Sequence, residues 1–174
     1  MKKMYFLFIL LTVFYVTVNA QYPNIKLAAK AQNSYLTDET TVIFRPGATD
    51  YFDEEYDAYK MFGQSQDLPY IYQLSYESDP PDSLSINAIP PVTINNVDIE
   101  IGIFVRQAGD YTLQLKQFSG FDAEIQISIE DLYTSAIMDL GNFTDYNFEI
   151  TEGNENMIRF AIHLHAWRLF LFYG

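Results

Sequence analysis

Apolar and polar residues alternate along most of the chain with a period of two, which is the pattern of β-strands that bury one face. The clearest alternating runs lie at residues 70–76, 97–105, 111–115, 123–129, 146–150 and 158–164. Shorter runs of the same kind lie at 41–45, 84–88 and 136–140. In the run at 70–76, Tyr70, Tyr72 and Leu74 share one face, which we expect to point into the core. The pattern therefore predicts about nine strands.

Turn-forming residues separate these runs, and no segment carries a long helical period. Residues 53–62 can form one or two helical turns, because Tyr56, Tyr59 and Phe62 recur at intervals of three. Short strands with one polar face favour two antiparallel sheets packed face to face. We predict an all-β fold, an antiparallel β-sandwich of jelly-roll type in a single domain. A closed barrel has a similar sequence pattern.

The first twenty residues have the composition of a secretory signal peptide. Lys2 and Lys3 precede an apolar run, and Ala20 stands where a signal peptidase cleaves. We predict a signal peptide at 1–20, an extended surface segment at 21–37, the β-sandwich at 38–165 and an atypical apolar tail at 166–174. No transmembrane segment is predicted in the mature chain. The protein is therefore expected to be exported and to be extracellular, on the cell surface or periplasmic.

The chain is acidic, with 10 basic and 23 acidic side chains and a formal net charge of −13. Loss of Lys2 and Lys3 with the signal peptide would leave 10 − 2 = 8 basic side chains and a charge of −15. Such a surface repels phosphate backbones, so we expect no nucleic-acid partner. Cysteine is absent, so burial and hydrogen bonds must hold the fold without disulfides. An exported bacterial protein fits this composition.

The most acidic stretch, residues 38–63, also carries six aromatic side chains. Asp50, Asp53, Glu55 and Asp57 supply oxygen ligands of the kind that calcium takes from flexible loops, so they form a candidate calcium site. The spacing is not that of an EF-hand. The alternative is a solvated turn whose aromatic side chains close one end of the core. Paired carboxylates could also serve a glycosidase, which would require a cleft that holds two of them at a defined separation.

Other candidate chemistry is sparse. His163 and His165 point to the same side of a strand, where they could start a zinc site or simply belong to a polar face. Asp82-Ser83-Leu84 is similar to the O-glycosylation motif of exported Bacteroidetes proteins, so Ser83 is a candidate modification site. No Gly-x-Ser-x-Gly elbow and no Gly-rich phosphate loop occurs. We therefore predict no catalytic residues.

Two motifs and their order along the chain resemble a known family. The run DAYK-x-FG lies at 57–63 and the run RF-x-x-H at 159–163, and further similar segments lie between residues 38 and 165. They resemble the β-sandwich module of secreted and surface proteins of Bacteroidetes, often adhesin-like, which precedes the C-terminal sorting domain of the type IX secretion system. The resemblance implies a non-catalytic accessory module, in which the acidic-aromatic stretch is an architectural loop. The tail at 166–174 lacks the sorting-domain pattern.

Three functional hypotheses follow from these observations. The first is a non-enzymatic, adhesin-like accessory module that contacts a surface protein or a glycan. The second is a carbohydrate-binding module with a calcium ion in the acidic loop at 50–57, which would require exposed aromatic side chains on one sheet. The third is an enzyme, which would require carboxylates that converge in a cleft.

Overall fold

The computed structural model describes residues 22–91, 97–122 and 125–166, and this part of the chain is all-β. The predicted signal peptide at 1–20 lies outside the described residues, as does the predicted tail apart from Ala166. No helix within the described ranges is long and apolar enough to cross a membrane.

The described residues form eleven strands and one short 3-10 helix at Leu140–Asn142. In chain order the strands are β1 (Asn24–Ala31), β2 (Thr37–Phe44), β3 (Ala58–Tyr59), β4 (Tyr70–Ser75), β5 (Asp82–Ile89), β6 (Val97–Val105), β7 (Gly109–Ser119), β8 (Ile125–Asp131), β9 (Ala136–Asp139), β10 (Tyr146–Ile150) and β11 (Glu155–Ala166). Nine of them were expected from the alternation. The two-residue strand β3 and the strand β1 were not.

The strands belong to one hydrogen-bonded sheet rather than to two separate sheets. Their order is β10-β7-β1-β2-β5-β4-β6-β11-β8-β9, with β3 paired to β5. Among the described strands, β2 and β5 pair in parallel and the other pairs are antiparallel. The sheet is therefore mixed, which alternation alone does not reveal, because the period of two is the same in both arrangements.

The sheet curls until its two ends meet through side chains. The ring of Phe148 on β10 lies edge-on to that of Phe160 on β11, with 5.2 Å between the centroids. The Tyr146 hydroxyl on β10 donates a hydrogen bond of 2.8 Å to Asp131 Oδ2 at the end of β8. The main core fills the space enclosed by this curl. Its largest fully buried members include Ile25, Leu27, Phe44, Ile101, Ile103, Leu113, Ile129, Phe160 and Ile162.

The structure corrects the expectation that residues 21–37 run over the surface. β1 lies between β7 and β2 in the sheet, and its side chains Ile25, Leu27 and Ala29 are buried. The strand does alternate, with Ile25 and Leu27 on one face and Lys26 on the other, but its remaining inward positions are alanines, which add little apolar signal. This short run was therefore not counted among the predicted strands.

The two faces of β4 are both buried, which corrects the expected position of its tyrosines. Ile71 belongs to the main core, whereas Tyr70 and Tyr72 on the opposite face lie under the segment between β3 and β4. The ring of Phe62 in that segment packs against Tyr70, Tyr72 and Phe104, with centroid distances of 5.6–5.8 Å. The tyrosines thus form a second, smaller core on the outside of the sheet.

Candidate functional site

The carboxylates of the acidic segment bind backbone amides. Asp53 Oδ2 accepts a hydrogen bond from the Thr49 N–H at 2.7 Å, and Asp57 Oδ2 accepts one from the Asp53 N–H at 2.8 Å. Asp57 Oδ1 accepts a third from the Ala88 N–H on β5 at 2.6 Å. Burial raises the pKa of Asp57, although the two amide donors oppose that effect. The N–H groups of Tyr56 and Asp57 both donate to the Asp53 carbonyl, so the expected helical turns reduce to one.

The aromatic side chains of the segment pack against one another and against Arg45, which directly follows β2. The Arg45 guanidinium lies 3.7 Å from the Tyr56 ring centroid and 5.1 Å from that of Tyr22. Phe52 stacks on Tyr59 with 4.2 Å between the ring centroids. Cation–π contacts of this kind contribute about 0.5–2 kcal/mol each. The segment is therefore held at several points along its length.

The structure does not bring the four predicted calcium ligands together as one ligand set. Asp50 and Glu55 are exposed, whereas Asp53 and Asp57 are half-buried and bind the amides described above. Among the described residues, no group of three or more His, Asp or Glu side chains is placed to hold a metal ion. Calcium binding by the segment stays a prediction.

A buried lysine that directly follows β3 joins this part of the chain to β2. Lys60 is only 8% exposed; its Nζ forms an ion pair with Asp38 and donates to the Glu39 carbonyl at 3.1 Å. Burial lowers the pKa of Lys60, and Asp38 acts against that shift. The same Asp38 carboxylate accepts the Ile71 N–H of β4 at 2.8 Å. Lys60 of the DAYK run thus helps to connect β2 with β4.

Arg159 and Asp131 form a second buried ion pair, which sequence reasoning missed. Arg159 Nη2 lies 2.9 Å from Asp131 Oδ2, and the two residues are 3% and 0% exposed. Asp131 also accepts hydrogen bonds from the Tyr146 hydroxyl at 2.8 Å and from the Tyr133 N–H at 2.9 Å. Burial alone would raise the pKa of Asp131, but these donors and the Arg159 charge together lower it. Arg159 belongs to the RF-x-x-H motif and Asp131 to another segment that resembles the family, but their pairing was not predicted.

His163 lies between two carboxylates on the outer face of β11. Its Nδ1 is 2.7 Å from Asp98 Oδ1 on β6, and its Nε2 is 3.0 Å from Glu130 Oε2 on β8. Burial lowers the pKa of His163, but the two carboxylates outweigh it and the net shift is upward. The His165 ring lies nearly parallel at a centroid distance of 6.3 Å, as expected for two histidines on one side of a strand. His163, bound to Asp98 and Glu130, crosslinks β6, β11 and β8.

An acidic groove adjoins this histidine. Asp50, Asp98, Glu100 and Tyr76 line it above an apolar floor, and its volume is about 320 Å³. The Tyr76 hydroxyl donates to Glu100. Asp50 is the one predicted site residue that lines this groove. Three carboxylates around one opening attract cationic groups and accept hydrogen bonds from hydroxyls.

Ser83 lies in the middle of the sheet rather than in a loop. It is a half-buried residue of β5, opposite Leu74 of β4, and its carbonyl accepts the Lys60 N–H at 2.8 Å. Glycosylation of Ser83 stays a prediction.

The fold and these contacts define an all-β domain that is built on a curled sheet and tied by buried ion pairs. The sequence profile of the family described as "Domain of unknown function (DUF8693)" matches residues 24–164, and the chain belongs to this family. No curated protein and no solved structure matches the chain. The matched range runs from the first residue of β1 into β11 and so covers the whole sheet. The family therefore includes β1, which the sequence analysis had placed outside the domain.

Proposed function

We propose that the chain is a non-catalytic accessory module of a bacterial exported or cell-surface protein, adhesin-like in character. It would be of the kind that precedes the type IX sorting domain in Bacteroidetes. In this proposal the curled sheet is a variant of the jelly-roll sandwich whose two halves remain joined through β5. The module would work by packing, spacing and contact with a partner.

The observation that supports this proposal is how the polar residues of the two motifs are used. Asp57 and Lys60 of DAYK-x-FG bind the backbone of β5 and the carboxylate of Asp38. Arg159 and His163 of RF-x-x-H bind carboxylates of neighbouring strands. Each of these side chains connects parts of the chain that lie far apart in sequence. A motif with this pattern of contacts is a signature of the fold, as expected for a structural module.

The acidic groove and the tyrosines near it are the surface on which we expect partner contact. Tyr51, Tyr59 and Tyr76 are 63%, 50% and 62% exposed. The Phe52 N–H donates to Glu77 Oε2 at 3.1 Å and so holds this part of the segment beside the end of β4. Tyrosine presents large, rigid contact area at low entropic cost and is enriched at interfaces. The negative charge favours a basic partner surface.

The test of this proposal is the fate of the chain in a Bacteroidetes host. The full chain is produced with a small epitope tag, and the cells are fractionated and treated with protease from outside. We expect a mature form that begins at Gln21, measured by mass spectrometry, in the periplasmic, surface or medium fraction. Uncleaved chain that remains in the cytoplasm would contradict the proposal.

The alternative function is a carbohydrate-binding module, with a calcium ion at the 50–57 loop. The observation in its favour is an open groove across four strands of the outer sheet face. Calcium binding would require the Asp53 and Asp57 carboxylates, which accept hydrogen bonds from backbone amides, so it is tested separately by thermal unfolding.

A further inference from the structure

The groove across the outer sheet face lies on the side of β1 away from the main core. Its volume is about 460 Å³, within the range of small-ligand sites. Residues of β7, β1, β2 and β5 line it, and Tyr22 closes one end. In the strand order, β4 lies between this groove and β6, which carries Asp98.

Strand register aligns a row of polar side chains along this groove. Lys26 lies opposite Gln117 of β7 on one side and opposite Thr41 of β2 on the other. Thr41 in turn lies opposite Ile86 of β5. With neighbouring strands about 4.8 Å apart, the row crosses about 14 Å of sheet. An ammonium group, a carboxamide and a hydroxyl thus stand beside an exposed apolar side chain.

Tyr22 and Asn24 complete one end of the groove. Tyr22 is 40% exposed, and the Arg45 guanidinium above its ring holds it in place. Asn24 is 8% exposed; its Nδ2 donates to the Tyr22 carbonyl at 2.8 Å and to Ser119 Oγ at 3.3 Å. Within the described residues, its Oδ1 is buried and has no hydrogen-bond partner. An unpaired buried acceptor is costly, so a turn of the Asn24 carboxamide toward a ligand hydroxyl in the groove would be favourable.

The charge of the groove favours an uncharged ligand. Lys26 Nζ lies 3.4 Å from Glu39 Oε2, so the ammonium is already paired with a carboxylate. The chain as a whole carries −13, which repels polyanions. A paired ammonium can still donate a hydrogen bond to a hydroxyl, since it has three donors.

We propose that this groove binds a neutral glycan. Successive sugar rings of one oligosaccharide would lie against Tyr22 and Ile86 through their C–H faces, with hydroxyls at Gln117, Lys26 and Thr41. An aromatic face combined with a few placed polar groups is the chemistry that such a ligand requires. The inference deepens the carbohydrate-binding alternative and rests on it.

The test is affinity electrophoresis of the purified chain through gels that contain one polysaccharide each. The neutral probes are mannan, xyloglucan, dextran and hydroxyethylcellulose, and polygalacturonate is the anionic probe. Tyr22→Ala and Gln117→Ala each remove one groove contact. Tyr35→Ala is the matched control, because Tyr35 is fully exposed in the β1–β2 connection. Melting curves verify that all variants fold.

We expect at least one neutral polysaccharide to retard the chain, with affinity reduced about tenfold in each groove variant. The Tyr35→Ala control should be retarded like the unaltered chain. Retardation by no neutral probe, retardation by polygalacturonate alone, or unchanged retardation of both groove variants would overturn the inference. Export and cleavage after Ala20 are measured independently, so a failure here is distinguishable from a failure of the accessory-module proposal.

Discussion

Replacement of Arg159 by Met should destabilise the protein strongly. Met keeps much of the length and the apolar stem of Arg159 but removes the charge that faces Asp131. Asp131 is 0% exposed and would keep a buried carboxylate without its cation. Removal of one partner of a buried ion pair costs about 3–5 kcal/mol. For a domain of this size that corresponds to a fall in melting temperature of about 6–20 °C.

The pH dependence of the unfolding free energy tests the same ion pair independently. The pKa of Asp131 is lowered in the folded protein. Its ionised form therefore stabilises the fold above the unfolded pKa of about 3.9, and this contribution is lost as the pH falls through the folded pKa. Without Arg159 the carboxylate takes up a proton more readily. The difference in unfolding free energy between Arg159→Met and the unaltered chain should thus be largest at neutral pH and smaller in acid.

Urea unfolding followed by circular dichroism measures these free energies. Lys26→Met is the matched control, because the Lys26–Glu39 pair lies at the surface and is partly exposed, and surface pairs contribute about 0–1 kcal/mol. The double variant Asp131→Asn/Arg159→Met should recover much of the loss, since it leaves no unpaired charge. An Arg159→Met protein within about 1 kcal/mol of the unaltered chain would refute the structural role of this pair.

Three further changes test other parts of the fold. Gly102→Ala should lower the free energy of unfolding by about 1–3 kcal/mol, because a Cβ there would overlap the Tyr72 ring. In a Tyr72→Ala background the same change should cost less; an equal cost in urea unfolding would argue against that clash. Asp57→Asn should cost about 1–2 kcal/mol, because the carboxamide has one acceptor oxygen for the Asp53 and Ala88 N–H groups and leaves one of them unpaired. Glu55→Gln, an exposed control, should unfold like the parent in urea. His163→Gln should lower the melting temperature most below about pH 6.5, where the imidazole is charged and paired with Asp98 and Glu130, and progressively less as the pH rises through the raised pKa of His163. A difference in melting temperature that does not change with pH would count against the charged imidazole.

Much of the fold was predictable because alternation is a local property. The runs at 97–105 and 146–150 coincide with β6 and β10, since each strand buries one face. β1 was missed because two of its inward positions are alanines, Ala29 and Ala31, which weaken that signal. The joining of the two halves into one sheet depends on the parallel pairing of β2 with β5, and register between distant strands leaves no local trace.

The site was less predictable, because its geometry depends on which strands become neighbours. The acidic segment was expected to be either a calcium site or an architectural loop, and its contacts with Ala88 and Thr49 favour the loop. Two histidines on one side of a strand were foreseen, but not the carboxylates that bracket His163. Asp131 looks in sequence like any acid after a strand. The pairing of β11 with β8 places it opposite Phe160 and so beside Arg159, and the curl of the sheet adds the Tyr146 hydroxyl.

The most direct measurement of whether the acidic segment is architecture is a thermal melt of the purified chain with and without millimolar calcium, followed by EDTA. We predict one cooperative transition at the same temperature in all three conditions, because the Asp53 and Asp57 carboxylates are occupied by backbone amides. A site saturated about 100-fold above its dissociation constant would instead stabilise the fold by about 2.7 kcal/mol, or about 5–11 °C. A calcium-dependent rise of that size, reversed by EDTA and lost in Asp53→Asn, would make the segment a binding site and contradict the account.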